Sequence, residues 1–208
     1  MGSRVTIRVV RAVIFDFGGV LACMGDPYGR RKWERFLGLE EGTLFKAVLD
    51  TEVSLRATLG QVSEEDMWRQ IGANFGLDAE QLAEFRHDFW LGEQINHELV
   101  TFLRELRPRF KTAILTNAWS GAREELSGFG LDKEVDLTVV SAEEGVAKPD
   151  PRIYQIAAER LSVQAGEAVF LDDLVENVRG AQTAGMQAVH FGNSAQAIAE
   201  IRGYLNHR

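Results

Sequence analysis

An α/β fold is predicted for this chain: a parallel sheet with helices on both faces, plus a small all-helical insert after the first strand. Three observations predict it. From residue 96 onward, short apolar runs alternate with amphipathic segments. Several of those runs close on a polar residue, as 12–15 closes on Asp16. Between 25 and 91 the strand pattern disappears, and apolar residues recur every three or four positions.

The first run, 12–21, is apolar apart from Asp16 and the pair Gly18-Gly19. Such a run reads as a strand buried on both faces. The glycines let the backbone turn sharply and approach a ligand closely. In 25–91, Trp33, Phe36 and Leu37, then Leu44, Phe45, Val48 and Leu49, fall at helical spacing. Two helix starts carry capping signals, Ser63 ahead of Asp66 and Asp78 ahead of Gln81. Trp68, Phe75, Phe89 and Trp90 read as the insert's own core. A helix follows over 96–107, with Leu99, Phe102, Leu103 and Leu106 on one face and Pro108 behind it. Strands are then expected at 112–116, 135–140, 168–172 and 187–191, and helices at 122–126, 151–161, 176–184 and 195–205. Right-handed crossovers arrange these as a Rossmann-like sheet covered on both faces. The expected domains are a core of 1–24 and 92–208 and a helical cap of 25–91.

Composition narrows the functional class. With 208 residues, 45% hydrophobic and 26% charged, the chain can bury a sizeable core. Its 23 Lys+Arg against 31 Asp+Glu give a net charge of −8, the wrong sign for binding nucleic acid by counterion release. No run reaches the roughly 18 consecutive apolar residues of a membrane span, and the amino terminus does not read as a signal peptide. A cytoplasmic protein with no membrane or nucleic-acid partner is expected. Cys23, the one cysteine, cannot form an internal disulfide and reads as a small core residue. Residues 1–6 fit the N-myristoylation pattern, which is short enough to recur by chance.

In parallel α/β sheets ligands bind beyond the carboxyl ends of the strands. Three expected strands end there in polar groups: Asp16, Thr116-Asn117 and Asp172-Asp173. Lys148, within Ala147-Lys148-Pro149-Asp150, sits in a turn just before a helix. One ammonium, several carboxylates, a hydroxyl and an amide thus converge at one end of the sheet. Carboxylates grouped this way stay ionised only with a cation among them, and hard oxygen ligands with retained waters suit Mg²⁺. Each residue also has a plainer reading. Thr116-Asn117 can cap a helix, Lys148 can be a solvated turn residue, and Asp172-Asp173 can favour the next helix through its dipole. Arg30-Arg31-Lys32 reads as a solvated helix face, and Trp119 either lines the site or packs in the core. His87, His97, His190 and His207 lack metal-ligand spacing, so zinc is not indicated.

Taken together, the ordered motifs resemble those of the haloacid dehalogenase superfamily, with a helical insert between the first and second. The stretches 113–119 and 145–154 carry the resemblance most closely, and it runs from about residue 12 to 191. They are similar to the phosphatase domain of soluble epoxide hydrolases and to bacterial sugar-phosphate phosphatases. The resemblance implies a Mg²⁺-dependent phosphatase acting on a small phosphorylated metabolite, a sugar phosphate among the possibilities, through an aspartyl-phosphate. It makes Asp16 the nucleophile. Thr116 and Asn117 become the pair that holds the phosphoryl oxygens, and Lys148 the cation between nucleophile and phosphoryl group. Asp173 becomes the direct Mg²⁺ ligand and Asp172 an inner or outer partner, with the Gly18 carbonyl available to the metal. Asn177 falls where many relatives keep a further acid. Specificity resides in the insert, and either a monomer or a homodimer is compatible with the sequence.

One position departs from the pattern. Phosphatases of this superfamily mostly keep a second aspartate two residues after the nucleophile, and here that position is Gly18. A positioned acid/base is worth about 10² to 10⁴ in rate. Three readings stay open: a phosphatase whose leaving group is stable or whose acid comes from elsewhere, a hydrolytic 2-haloacid dehalogenase, and a noncatalytic module for a phosphorylated ligand or a partner protein. Asp26 and Tyr28 are the nearby donors that the sequence names.

Overall fold

The computed structural model describes residues 9–206, so the acylation pattern at 1–6 and His207 lie outside the described residues. Along the chain, β1 (Ala12–Phe15) and β2 (Ala22–Met24) precede five helices, α1 (Tyr28–Leu37), α2 (Leu44–Leu49), α3 (Glu52–Thr58), α4 (Glu64–Phe75) and α5 (Ala79–Trp90). Then come β3 (Glu93–Ile95), α6 (His97–Leu106), β4 (Lys111–Thr116), α7 (Ala122–Gly128), β5 (Leu137–Val140) and α8 (Ser141–Glu144). The chain closes with α9 (Pro151–Arg160), β6 (Ala168–Asp172), α10 (Val175–Thr183), β7 (Gln187–His190) and α11 (Ser194–Asn206).

Five strands form a parallel sheet in the order β5-β4-β1-β6-β7. β1 lies at its centre because both of its faces can be buried. Val13 and Phe15 point into one core with α6 and α11, whereas Ala12 and Ile14 point into the other with α9 and α10. All four residues are fully buried. Burying Val13, Ile14 and Phe15 contributes roughly 5–9 kcal/mol of transfer free energy, which anchors the charged residue that follows them.

The helices between β2 and β3 build a separate apolar cluster around Trp33, Met67, Trp68, Phe85 and Phe89. Trp68 meets Phe85 and Phe89 edge-on, at ring distances of 5.9 and 5.5 Å. Both capping signals form: Ser63 Oγ accepts from the Asp66 N–H, and Asp78 and Gln81 make a reciprocal capping box. This cluster rests on the loop that follows β4 and on α8, which follows β5. Glu64 accepts the Gly121 N–H at 3.2 Å, and Gly60 packs directly against the Ala142 carbonyl.

Several local expectations are corrected. β2 and β3 pair antiparallel as a ribbon at the base of the helical segment, which no periodicity announced because each strand has three residues. Cys23 lies on this ribbon, half-buried and outside the apolar cores. The strand expected from 135 begins at Leu137, since Asp136 accepts from the Thr112 backbone and turns the chain in. Arg30 is not solvated: its guanidinium stacks 4.3 Å from the Phe45 ring and its Nε donates to the Phe89 carbonyl. No helix among the described residues is long and apolar enough to cross a membrane.

Candidate active site

The site is built where β1, β4 and β6 end side by side. Asp16 leaves β1 with its N–H donating to the Leu171 carbonyl, which fixes it against β6. Its carboxylate accepts the Phe17 N–H at 2.7 Å and is only 6% exposed. Lys148 reaches in from the turn before α9 and is itself buried. Its Nζ lies 2.6 Å from Asp16 Oδ1 and 2.7 Å from Asp172 Oδ2. A buried ammonium between two carboxylates satisfies the rule that buried charges be paired. Burial works against the charge on Lys148, but Asp16 and Asp172 outweigh it and hold the ammonium above its ordinary range. Asp16 is also raised, up to about 7, chiefly by burial; Lys148 opposes this and Asp172 adds to it. The lysine's charge is the fixed element of the pair.

Asp172 is committed to structure. It accepts from Lys148 Nζ, from the Leu174 N–H at 2.8 Å and from Asn177 Nδ2 at 3.0 and 3.1 Å. Asp173 carries a different load: among the described residues no side chain donates to its carboxylate, and burial followed by the charge of Asp172 raises its affinity for a proton. Carboxylate oxygens of Asp16, Asp172 and Asp173 lie within 4.8 Å of one another. This donor set, all hard oxygen and rich in negative charge, fits a cation such as Mg²⁺. Gly19 explains the close approach. Its φ is +82°, and a Cβ there would lie 2.3 Å from Asp173 Oδ2, so only glycine lets the turn pass this carboxylate. Gly18 is exposed, with open space where a Cβ would be.

At the end of β4, Thr116 is buried and its hydroxyl has no hydrogen-bond partner among the described residues. Asn117 does something the sequence did not disclose. Its carboxamide accepts the Lys148 N–H at 2.8 Å and donates to the Lys148 carbonyl at 2.9 Å, clamping the lysine's backbone rather than facing a ligand. Neither residue caps a helix, since Gly121 precedes α7. All the side chains expected at the site, Asp16, Thr116, Asn117, Lys148, Asp172 and Asp173, thus gather at one end of the sheet.

Residues 10–185 match the family model for haloacid dehalogenase-like hydrolases. The chain belongs to that family. Among its relatives, mouse acyl-CoA dehydrogenase family member 10 is 32% identical over 95% of this chain, which spans 19% of the mouse protein. The sesquiterpene phosphatase astK of Aspergillus oryzae is 26% identical, over 92% of this chain and 95% of its own. Pig bifunctional epoxide hydrolase 2 is 29% identical over 92% of this chain, which spans 38% of the pig protein. A predicted haloacid dehalogenase-like hydrolase from Porphyromonas gingivalis shares the fold with a TM-score of 0.78 at 23% identity, covering 96% of this chain and all of its own. A family enzyme from Bacteroides thetaiotaomicron, solved with magnesium and inorganic phosphate, superposes with a TM-score of 0.73 at 18% identity, over 87% of this chain and 93% of its own.

Within this haloacid dehalogenase-like hydrolase, sequence reasoning missed how the site is supported. The Asn117 clamp, the Asn177 bonds to Asp172 and the need for glycine at 19 are set by contacts between residues far apart in the chain. Asp26 and Tyr28 lie at the surface: the Asp26 carboxylate is 70% exposed and bound to Arg31, and Tyr28 is 57% exposed. Trp119 packs edge-on against Trp68 at 5.3 Å, tying the loop after β4 to the helical cluster.

Proposed function

We propose that this hydrolase is a Mg²⁺-dependent phosphatase for a small phosphorylated metabolite, a sugar phosphate among the candidates, working through an aspartyl-phosphate on Asp16. The observation that carries the reading is the buried Asp16–Lys148–Asp172 bridge with the uncommitted carboxylate of Asp173 beside it. In this reading an Asp16 oxygen attacks phosphorus, which divides one hard hydrolysis into two steps. Lys148 aligns the nucleophile and balances charge that builds on the phosphoryl oxygens. The free hydroxyl of Thr116 donates to one of those oxygens. Asn117 acts through Lys148, as a positioning residue. Asp16, Asp173 and the Gly18 carbonyl would hold Mg²⁺, with Asp172 as an outer partner because its oxygens already accept other donors. When bound, the metal supplies further positive charge at the phosphoryl group. Residues 25–91 act as a cap over a core of 1–24 and 92–208, excluding water until hydrolysis of the intermediate.

A dehalogenase releases halide without a metal and gains nothing from Asp173 next to its nucleophile. Turnover of p-nitrophenyl phosphate with Mg²⁺ and with EDTA is the deciding experiment. Activity that EDTA abolishes and Mg²⁺ restores, and that Asp16→Asn removes without unfolding the chain, is expected. Metal-independent release of halide from a 2-haloacid would establish the dehalogenase instead. Absence of both activities, with phosphate still binding, would establish a binding module.

A further inference from the structure

A cation binds most tightly to oxygens that are already fixed where it needs them, so what holds a ligating carboxylate matters along with the carboxylate itself. The two aspartates that end β6 are fixed in different ways. Asp172 is held by its side chain, which accepts from Lys148, Leu174 and Asn177. Asp173 is half-buried and is held by its main chain. Nε2 of His190 lies 2.9 Å from the Asp173 carbonyl oxygen. Because a carbonyl can only accept, the hydrogen sits on Nε2 and the imidazole donates. Among the described residues this carbonyl receives no other hydrogen bond.

His190 is well placed to act as an anchor. It closes β7 directly opposite Asp172, and the next residue, Phe191, donates its N–H to the Asp172 carbonyl at 2.8 Å. Its own carbonyl accepts from Gln196 Nε2 at 3.1 Å, so the ring extends from backbone tied to both β6 and α11. On the other side of residue 173, the carboxylate lies against Gly19, whose missing Cβ leaves it room. Packing does little to hold this turn, since Leu174 and Val175, next in the chain, are exposed. The imidazole is exposed as well, so water can replace it on the carbonyl at little cost in stability. A water, however, is not tied to β7 and cannot fix the turn.

We propose that His190 is a positioning residue for Mg²⁺: by donating to the Asp173 carbonyl it holds that residue's carboxylate ready for the cation. This rests on the reading of Asp173 as a metal ligand. His190 itself touches neither metal nor substrate. Without its hydrogen bond the turn has to be ordered when the cation arrives, and the cost of that ordering is taken from the binding free energy. The defect therefore belongs to metal affinity. Once the metal is bound it holds Asp173 in place itself, so turnover at saturating Mg²⁺ is spared.

The test compares wild type, His190→Ala and His190→Gln in three measurements: calorimetry with Mg²⁺ alone, urea unfolding in EDTA, and p-nitrophenyl phosphate turnover across a range of Mg²⁺ concentrations. Glutamine keeps an N–H at a reach similar to that of the imidazole Nε2. His190→Ala should bind Mg²⁺ about 10- to 100-fold more weakly. Its urea midpoint should stay close to that of wild type, and saturating Mg²⁺ should bring its kcat back to nearly the wild-type value. His190→Gln should recover most of the lost affinity. An alanine variant that binds Mg²⁺ as wild type does overturns the proposal, as does a glutamine variant as weak as alanine. A fall in affinity matched by a fall in the urea midpoint, or a kcat that saturating Mg²⁺ does not restore, overturns it too, because His190 would then merely stitch the sheet edge. A wild type that takes up no Mg²⁺, or an Asp173→Asn variant that binds it undiminished, fails at the earlier step and overturns the reading of Asp173 instead.

Discussion

Replacing Asp16 by asparagine should make the metal-free protein more stable. Asparagine keeps an oxygen to accept from Lys148 Nζ and the Phe17 N–H, at positions now 2.6 and 2.7 Å away, and Lys148 keeps Asp172 at 2.7 Å. What disappears is the cost of ionising a buried carboxyl. Burial, opposed by Lys148 and reinforced by Asp172, moves Asp16 from 3.8 to about 7. At 1.36 kcal/mol per tenfold in proton affinity, ionising it at pH 8 costs the folded state roughly 4 kcal/mol, an upper figure. The folded chain holds this proton more tightly than the unfolded chain does. The stability it brings is therefore complete below about 3.8 and lost as pH rises through about 7. The substituted carboxamide titrates nowhere in that window. Urea unfolding in EDTA should thus show the two proteins alike near pH 4 and the variant ahead by about 2–4 kcal/mol at pH 8. Saturating Mg²⁺ should narrow the gap, because it binds and stabilises the wild type. A variant no more stable at pH 8, or a gap that does not change with pH, would refute the reasoning.

Four other outcomes are expected. Gly19→Ala should lose roughly 1–2 kcal/mol from its left-handed backbone and, by displacing Asp173, weaken Mg²⁺ binding about 10- to 100-fold in calorimetry. Gly18→Ala, with open space around its Cβ, should stay within about 0.5 kcal/mol of wild type in the same measurements. Asn117→Ala strips both bonds from the Lys148 backbone; thermal melts should show a loss of about 1–3 kcal/mol, with kcat down about 10²-fold as the ammonium drifts. Phe85→Ala, at a fully buried position of the helical cluster, should cost about 3–5 kcal/mol by urea titration.

The sheet was legible because β1, β4 and β6 are apolar on both faces, a pattern that few other arrangements accommodate. The helical segment was legible from caps such as Asp78-Gln81, where sequence spacing and hydrogen bonding coincide. Polar residues at strand ends were readable as a group, since a parallel sheet brings its carboxyl ends together whatever lies between them. Their separate tasks were not. Asp172 and Asp173 are neighbours of one chemical type, yet three groups donate to the first and no side chain to the second, a difference made by Lys148 and Asn177.

That ribbon has a consequence for how the molecule can change. Ala22, Cys23 and Met24 pair with Ile95, Gln94 and Glu93, so the chain departs toward the helices and returns from them at the same place. The segment between is a loop already closed at its neck. Closing a loop costs about (3/2)RT ln n, and doubling its length adds only about 0.6 kcal/mol. The strands beneath are therefore almost indifferent to how much chain is carried above them. Helices could be lengthened, trimmed or exchanged there while Asp16, Lys148 and Asp173 keep their places, so that one fixed set of reacting groups could serve different molecules over evolutionary time.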